Sequence, residues 1–246
     1  MKKLLVLALL ALLAGFAVAE DLGIAVGSEL YFGDVADKAV LEVAPLLKYG
    51  ASVDALDIDL TLQYFIKFDD DTIQRFYAEP ELTYTLPAGP GSLALALYGE
   101  FNFYIDPSDD YSGMLEPSFK YLQGFSFGDL FLKVGLPYTF EPDTSTDLYG
   151  TLGYGKGGFG LELTGKYNMD PDKKRTGYEA LVSYGKDAFY GEVKVKSDKD
   201  FEVFTLSPYG ELSADRLTLW AGVDFGNIGG DGDVTVEPYI GATWKF

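Results

Sequence analysis

The chain has 246 residues, with 19 Lys or Arg against 38 Asp or Glu, so its formal net charge is −19 at pH 7. It contains no Cys and no His, which excludes disulfides, thiolate nucleophiles, Cys- or His-based metal centres and imidazole-dependent triads. The acidic balance also argues against nucleic-acid binding, which requires Lys and Arg at the phosphates.

The first segment, residues 1–19, is predicted to be a secretory signal peptide. Lys2 and Lys3 precede an apolar run that ends in Ala17-Val18-Ala19, the small-residue pattern of a cleavage site. The uncharged stretch 4–19 has 16 residues and is shorter than the roughly 20 that a spanning helix needs, so a membrane anchor is the weaker alternative. We expect Sec export, cleavage near Ala19, and a single domain over 20–246.

The remaining sequence alternates apolar and polar residues with a period of two, which predicts β-strands that have one apolar and one polar face. In segment 56–68, apolar residues at even positions alternate with Asp57, Asp59, Thr61 and Gln63. Turn signals divide the chain into fourteen predicted strands: 22–33, 38–50, 53–68, 72–87, 91–106, 110–122, 128–140, 147–155, 158–168, 176–186, 188–197, 201–213, 215–226 and 234–246. Because glycines blur the turn within 147–168, twelve strands is the alternative.

The connections alternate in charge. The seven loops after odd-numbered strands carry 17 acidic and four basic residues, whereas the six turns after even-numbered strands carry three acids. One rim of the sheet is therefore predicted to be strongly anionic. Asp69-Asp70-Asp71 in this rim could bind a divalent cation, although such a run is more often a solvated loop.

Prolines recur on the apolar face of even-numbered strands, at Pro45, Pro80, Pro117, Pro208 and Pro238. A proline cannot donate a hydrogen bond to the ladder of a central strand. We therefore expect local β-bulges at these positions.

Long strands with charges of both signs on the polar face and aromatics near the ends of the apolar face favour a closed antiparallel transmembrane β-barrel with lipid outside and water inside. Closure also removes unpaired sheet edges. The alternative all-β fold is a soluble β-sandwich, which buries its apolar face between two sheets.

The C-terminal strand ends in Trp244-Lys245-Phe246, with further apolar residues at 238, 240 and 242. This ending resembles the assembly signal of bacterial outer-membrane β-barrel porins, with Trp244 and Phe246 as the signal residues. The whole pattern is most similar to the monomeric, fourteen-stranded outer membrane protein G type. The resemblance implies outer-membrane lipid, periplasmic chaperones and the barrel-assembly machinery as partners, a monomer, and an acidic rim outside the cell.

Charged residues at polar-face positions are the predicted lumen lining, namely Lys48, Asp57, Asp59, Lys67, Arg75, Glu79, Glu81, Glu100, Glu116, Lys120, Lys133, Glu162, Lys166, Lys194 and Glu237. The carboxylate pairs 57/59 and 79/81 are loosely within glycosidase range, but solvated lumen charges are the better interpretation. The glycines of 153–158 match G-x-G-x-x-G without the helix that a dinucleotide site needs.

The sequence thus predicts a passive outer-membrane channel for small hydrophilic solutes and ions with a weak preference for cations. Fourteen strands should leave an aqueous pore, and no predicted loop is long enough to suggest a plug. We expect no catalytic residue, no cofactor and no metal. The alternative is a structural or ligand-binding surface barrel of the adhesin kind, which would not transport solutes.

Overall fold

The computed structural model describes residues 21–33, 41–68, 74–104, 111–140, 144–169, 176–198 and 200–246. The predicted signal peptide and most of the acidic loops lie outside these residues, and those assignments stay predictions. Among the described residues, no helix has the length and hydropathy needed to cross a membrane.

The described chain forms one sheet of long strands, in which every pairing is antiparallel and consecutive strands are neighbours. The segments in chain order are β1 (Asp21–Phe32), β2 (Leu41–Val53), β3 (Leu56–Phe68), β4 (Gln74–Ala88), β5 (Gly91–Tyr104), β6 (Tyr111–Phe125), β7 (Gly128–Gly135), β8 (Tyr138–Phe140), β9 (Ser145–Lys156), β10 (Phe159–Asn168), β11 (Thr176–Lys186), β12 (Phe189–Asp198), β13 (Phe204–Ala214), β14 (Leu217–Ile228) and β15 (Thr235–Lys245).

The sheet closes on itself because β1 pairs with both β2 and β15. The seam to β15 runs from Ala25 opposite Lys245 to Tyr31 opposite Tyr239. Beyond it, the backbone N–H of Phe246 donates to the carbonyl of Ile24 at 2.9 Å. Closure pairs both edges of the sheet, as a strand structure surrounded by hydrocarbon requires.

The fifteen segments form fourteen barrel strands, since β7 and β8 are two parts of one strand. Both pair with β6 on one side and β9 on the other, without a change of register. The strand is interrupted at Leu136–Pro137, where Pro137 has no N–H to donate. The prediction of fourteen strands is therefore confirmed over the alternative of twelve, and so is the single strand over 128–140.

The expected β-bulges at the prolines are wrong. Beside Pro45, Val43 opposes Ile66 and Leu46 opposes Gln63, so the β2–β3 register is the same on both sides of the interruption. The proline removes pairing on one side only, because Pro45 still opposes Ser28 of β1. Among the described pairings, a register shift lies between Phe204 and Leu206 of β13, two residues before Pro208, and the register is the same on both sides of Pro208 itself.

The two faces of the sheet differ as the period-two pattern predicts. Side chains on the apolar face are widely exposed, as for Leu97 (43%) and Leu152 (59%). The exception is the apolar face of β2, β3 and β4, where Ala51, Ile58, Leu60 and Ala78 are nearly completely buried. Charged residues are concentrated on the opposite face, which is the inner wall of the barrel.

Candidate functional site: the charged lumen

A cavity of about 520 Å³ lies against the inner wall. Its lining comes from seven strands, β4, β5, β6, β7, β9, β10 and β11, and such a cavity can lie only inside the closed sheet. Among its lining residues are six acids and two lysines: Glu81, Glu100, Glu116, Asp147, Glu162 and Glu179, with Lys133 and Lys166. The cavity wall therefore carries an excess of negative charge.

Both lysines of the cavity are already in ion pairs. Lys133 Nζ lies 3.3 Å from Glu116 Oε1, and Lys166 Nζ lies 3.3 Å from Glu179 Oε2. The hydroxyl of Tyr149 also donates to Glu116. The negative excess of the cavity consequently resides on its other four carboxylates.

Outside the cavity, the inner wall carries a further charged group around Arg75, near the start of β4. Its guanidinium lies 3.1 Å from Glu42 Oε1 and 4.0 Å from the centre of the Phe65 ring. Nearby, the amide of Gln63 donates to Glu29 Oε2 at 2.5 Å. This arginine is thus held by both a carboxylate and an aromatic face.

Aromatic rings hold other lumenal cations against the wall in the same way. The ammonium of Lys120 lies 4.0 Å from the centre of the Phe131 ring, and that of Lys48 lies 5.5 Å from the Trp220 ring. Trp220 in turn lies over Gly241, where an added Cβ would come within 2.3 Å of the indole. The glycine provides the space that lets the ring lie flat against the wall.

The fifteen charged residues predicted as lumen lining all lie in the described strands, and the registers place them on one face. The structure brings six of them together at the cavity: Glu81, Glu100, Glu116, Lys133, Glu162 and Lys166. The other nine are distributed elsewhere on this face. Lys67, for example, opposes Glu42 on β2, and Glu237 opposes Asp224 on β14.

The predicted assembly-signal residues lie on the outer face at the barrel seam. Trp244 is 46% exposed and opposes Val26 of β1, while Phe246 is 71% exposed. These positions leave both aromatic rings accessible from outside the barrel.

The tyrosines of the inner wall are functional candidates that are absent from the predicted lumen lining. Several donate hydrogen bonds to a glutamate two residues away, such as Tyr98 to Glu100 at 2.6 Å and Tyr209 to Glu211 at 2.9 Å. The signal was present as a recurring Tyr-x-Glu pattern within the strands. Two residues separated by one always share a strand face, so the pattern could have been recognised.

No group of three or more His, Cys, Asp or Glu side chains within the described residues has the arrangement to hold a metal ion. The buried side-chain nitrogens and oxygens of these residues all have hydrogen-bond partners. The Asp69-Asp70-Asp71 run lies outside the described part of the chain.

No protein-family model and no curated protein matches this sequence. Solved structures with a similar fold include the outer membrane protein Omp33 of Acinetobacter baumannii, with a TM-score of 0.58, 9% identity, and coverage of 91% of this chain and 98% of that one. A mutant of the Rh. blastica porin has a TM-score of 0.52 at 8% identity, with coverage of 92% and 99%. A variant of OccD1 (OprD) has a TM-score of 0.51 at 8% identity, with coverage of 94% and 96%.

These identities are too low to transfer a function, but the coverage extends over nearly the full length of each structure. The likeness is therefore one of fold, and the narrower similarity to the outer membrane protein G type stays a prediction. The chain has the closed antiparallel β-barrel fold of bacterial outer-membrane porins.

Proposed function

We propose that this protein is an outer-membrane channel for the passive diffusion of small hydrophilic solutes and ions, with a weak preference for cations. The observation that carries the proposal is the contrast between the two barrel faces. An apolar, exposed outer face suits hydrocarbon, and a polar inner face with a cavity of about 520 Å³ suits water. Function then resides in the radius and charge of the lumen, with no catalytic residue.

The proposal includes export through the signal peptide of residues 1–19 and insertion of 20–246 as one monomeric domain. Outer-membrane lipid, periplasmic chaperones and the barrel-assembly machinery are the proposed partners. Purified protein in a planar lipid bilayer tests the function directly. Stable, unitary conductance steps are expected, whereas a structural or adhesin-like barrel would give none.

The proposed cation preference should depend strongly on salt. The acidic loops at one rim carry 17 acids against four bases, and such a mouth attracts cations and repels anions. Exposed charges are screened over a Debye length of about 8–10 Å near physiological ionic strength, so the preference for potassium over chloride should be modest in concentrated salt and grow on dilution. Reversal potentials across a salt gradient measure this ratio.

A rim variant separates the acidic loops from the lumen as the source of selectivity. Neutralising Asp69, Asp70 and Asp71 together should lower the potassium preference without closing the pore. An anion preference of the unmodified protein at low salt would contradict the cation assignment.

A further inference from the structure

A short pattern recurs on four strands of the barrel. A tyrosine, a small residue and a glutamate follow one another in Tyr77-Ala78-Glu79 of β4, Tyr98-Gly99-Glu100 of β5, Tyr190-Gly191-Glu192 of β12 and Tyr209-Gly210-Glu211 of β13. Because side chains alternate along a strand, the tyrosine and glutamate share the inner face and the small residue lies on the outer face. The repeat therefore places four tyrosine–glutamate pairs on the lumenal wall.

In each pair the phenol donates a hydrogen bond to its own glutamate. The donor–acceptor distances are 2.5 Å from Tyr77 to Glu79, 2.6 Å from both Tyr98 to Glu100 and Tyr190 to Glu192, and 2.9 Å from Tyr209 to Glu211. A hydrogen bond to a charged acceptor is among the stronger kinds, so it fixes the rotamer of the carboxylate along the wall.

The partner of these carboxylates is neutral. The ion pairs found within the described residues use other acids, Glu42, Glu116 and Glu179. A lysine or arginine would hold a carboxylate in place and also cancel its charge. A phenol holds the carboxylate in place without adding a positive charge beside it.

The four pairs stand on two opposite sides of the barrel. Strands β4 and β5 are neighbours, as are β12 and β13. With β7 and β8 counted as one strand, the closed sheet has fourteen strands. Seven strand-to-strand steps separate β5 from β13 in either direction around it, and the same number separates β4 from β12. Each of these two sides therefore carries two carboxylates that are held by phenols and lie outside the ion pairs of the described residues.

We infer that the repeat forms a fixed-charge cation filter inside the lumen, in which the four glutamates set selectivity and the four tyrosines are their positioning residues. The inference deepens the proposed channel function and rests on it. A small cation crossing the lumen passes negative charge on both sides of the barrel. The tyrosines keep that charge at the wall, so the carboxylates neither obstruct the path nor swing towards the lumenal lysines.

The test removes one phenol from each wall in the double variant Tyr98→Phe/Tyr209→Phe. Each change deletes a single oxygen atom, so the barrel should assemble and migrate on gels as the unmodified protein does. The change at Tyr98 removes the hydrogen bond that holds Glu100, and Glu211 keeps only the hydrogen bond from Ser213 at 3.2 Å. Because both carboxylates can then move more freely within the lumen, the open-channel current noise should rise. Adding Glu100→Gln and Glu211→Gln should return the noise to its original level, because no mobile charge remains.

The glutamates are tested separately from the tyrosines. Removing a unit charge that lies about 8 Å from a passing ion in water corresponds to roughly a two-fold change in local ion concentration, and a nearer charge has a larger effect. Glu100→Gln/Glu211→Gln should accordingly lower the potassium-to-chloride permeability ratio by at least about two-fold at low salt. The matched control for the tyrosine variants is Tyr121→Phe. The hydroxyl of Tyr121 donates to a residue at the same spacing, but this residue is the uncharged Gln123 and the pair lies on the outer face. The control should leave both the noise and the permeability ratio unchanged.

The possible outcomes distinguish the inference from the channel proposal. If the unmodified protein gives no conductance steps, the channel function itself is rejected. If it conducts, the filter is rejected when the tyrosine variants show unaltered noise, when the noise survives the added Gln substitutions, or when the permeability ratio is unchanged by Glu100→Gln/Glu211→Gln.

Discussion

Leu97→Arg is expected to destabilise the inserted barrel strongly, whereas Ala96→Arg on the adjacent residue should be tolerated. Leu97 lies at the middle of β5 on the outer face and is 43% exposed. A charged side chain at the membrane midplane of a transmembrane barrel costs about 2–4 kcal/mol. Ala96 lines the cavity, where an arginine side chain remains in water.

The measurement is folding into lipid vesicles, followed by heat-modifiable migration on gels and by urea titration. Leu97→Arg should lower the free energy of unfolding by about 2–4 kcal/mol relative to Ala96→Arg. Equal stability of the two variants would contradict the assignment of lipid and lumen to the two faces.

Deleting Phe246 should sharply reduce the amount of assembled barrel in cells while leaving refolding of the purified protein largely intact. In the structure, the backbone of Phe246 adds one hydrogen bond to the seam, and its side chain is 71% exposed. Loss of one such bond costs about 1 kcal/mol, which is small for a complete barrel. A large loss in cells must then come from failed recognition by the assembly machinery.

Phe127→Ala is the matched control for that deletion. Phe127 is another exposed aromatic residue (52%), and it lies in the β6–β7 turn, at the barrel end where β1 begins and β15 ends. It should assemble normally. If the Phe246 deletion assembles as well as the control, the terminal residues are not the signal. If the deletion fails equally in cells and in vitro, the effect is one of stability.

Much of the fold was predictable because the strand period is encoded locally. The predicted strand 53–68 contains β3 (Leu56–Phe68), whose alternation between polar and apolar residues is nearly unbroken. The glycine-rich region 147–168 was the weakest division, yet β9 and β10 are separate strands joined at Gly157–Gly158. Both glycines have positive φ, a backbone region that favours glycine and suits a tight hairpin turn.

Other features required knowledge of three-dimensional neighbours. The effect of Pro45 depends on which adjacent strand its missing N–H faces, and the sequence alone does not contain that information. The pairing of Lys133 with Glu116 and of Arg75 with Glu42 likewise depends on cross-strand register. The charged faces and the Tyr-x-Glu pairs follow from the period of two, but the choice of carboxylates that pair with a lysine or an arginine does not.

The seam between β1 and β15 has a consequence for biosynthesis. The first and last strands to leave the ribosome are neighbours in the finished sheet, so the barrel cannot close until the entire chain has been made. Every shorter intermediate has two unpaired edges and exposes apolar side chains, which makes it prone to aggregation. A stop codon anywhere upstream of β15 should yield an open sheet that is degraded, and never a smaller pore.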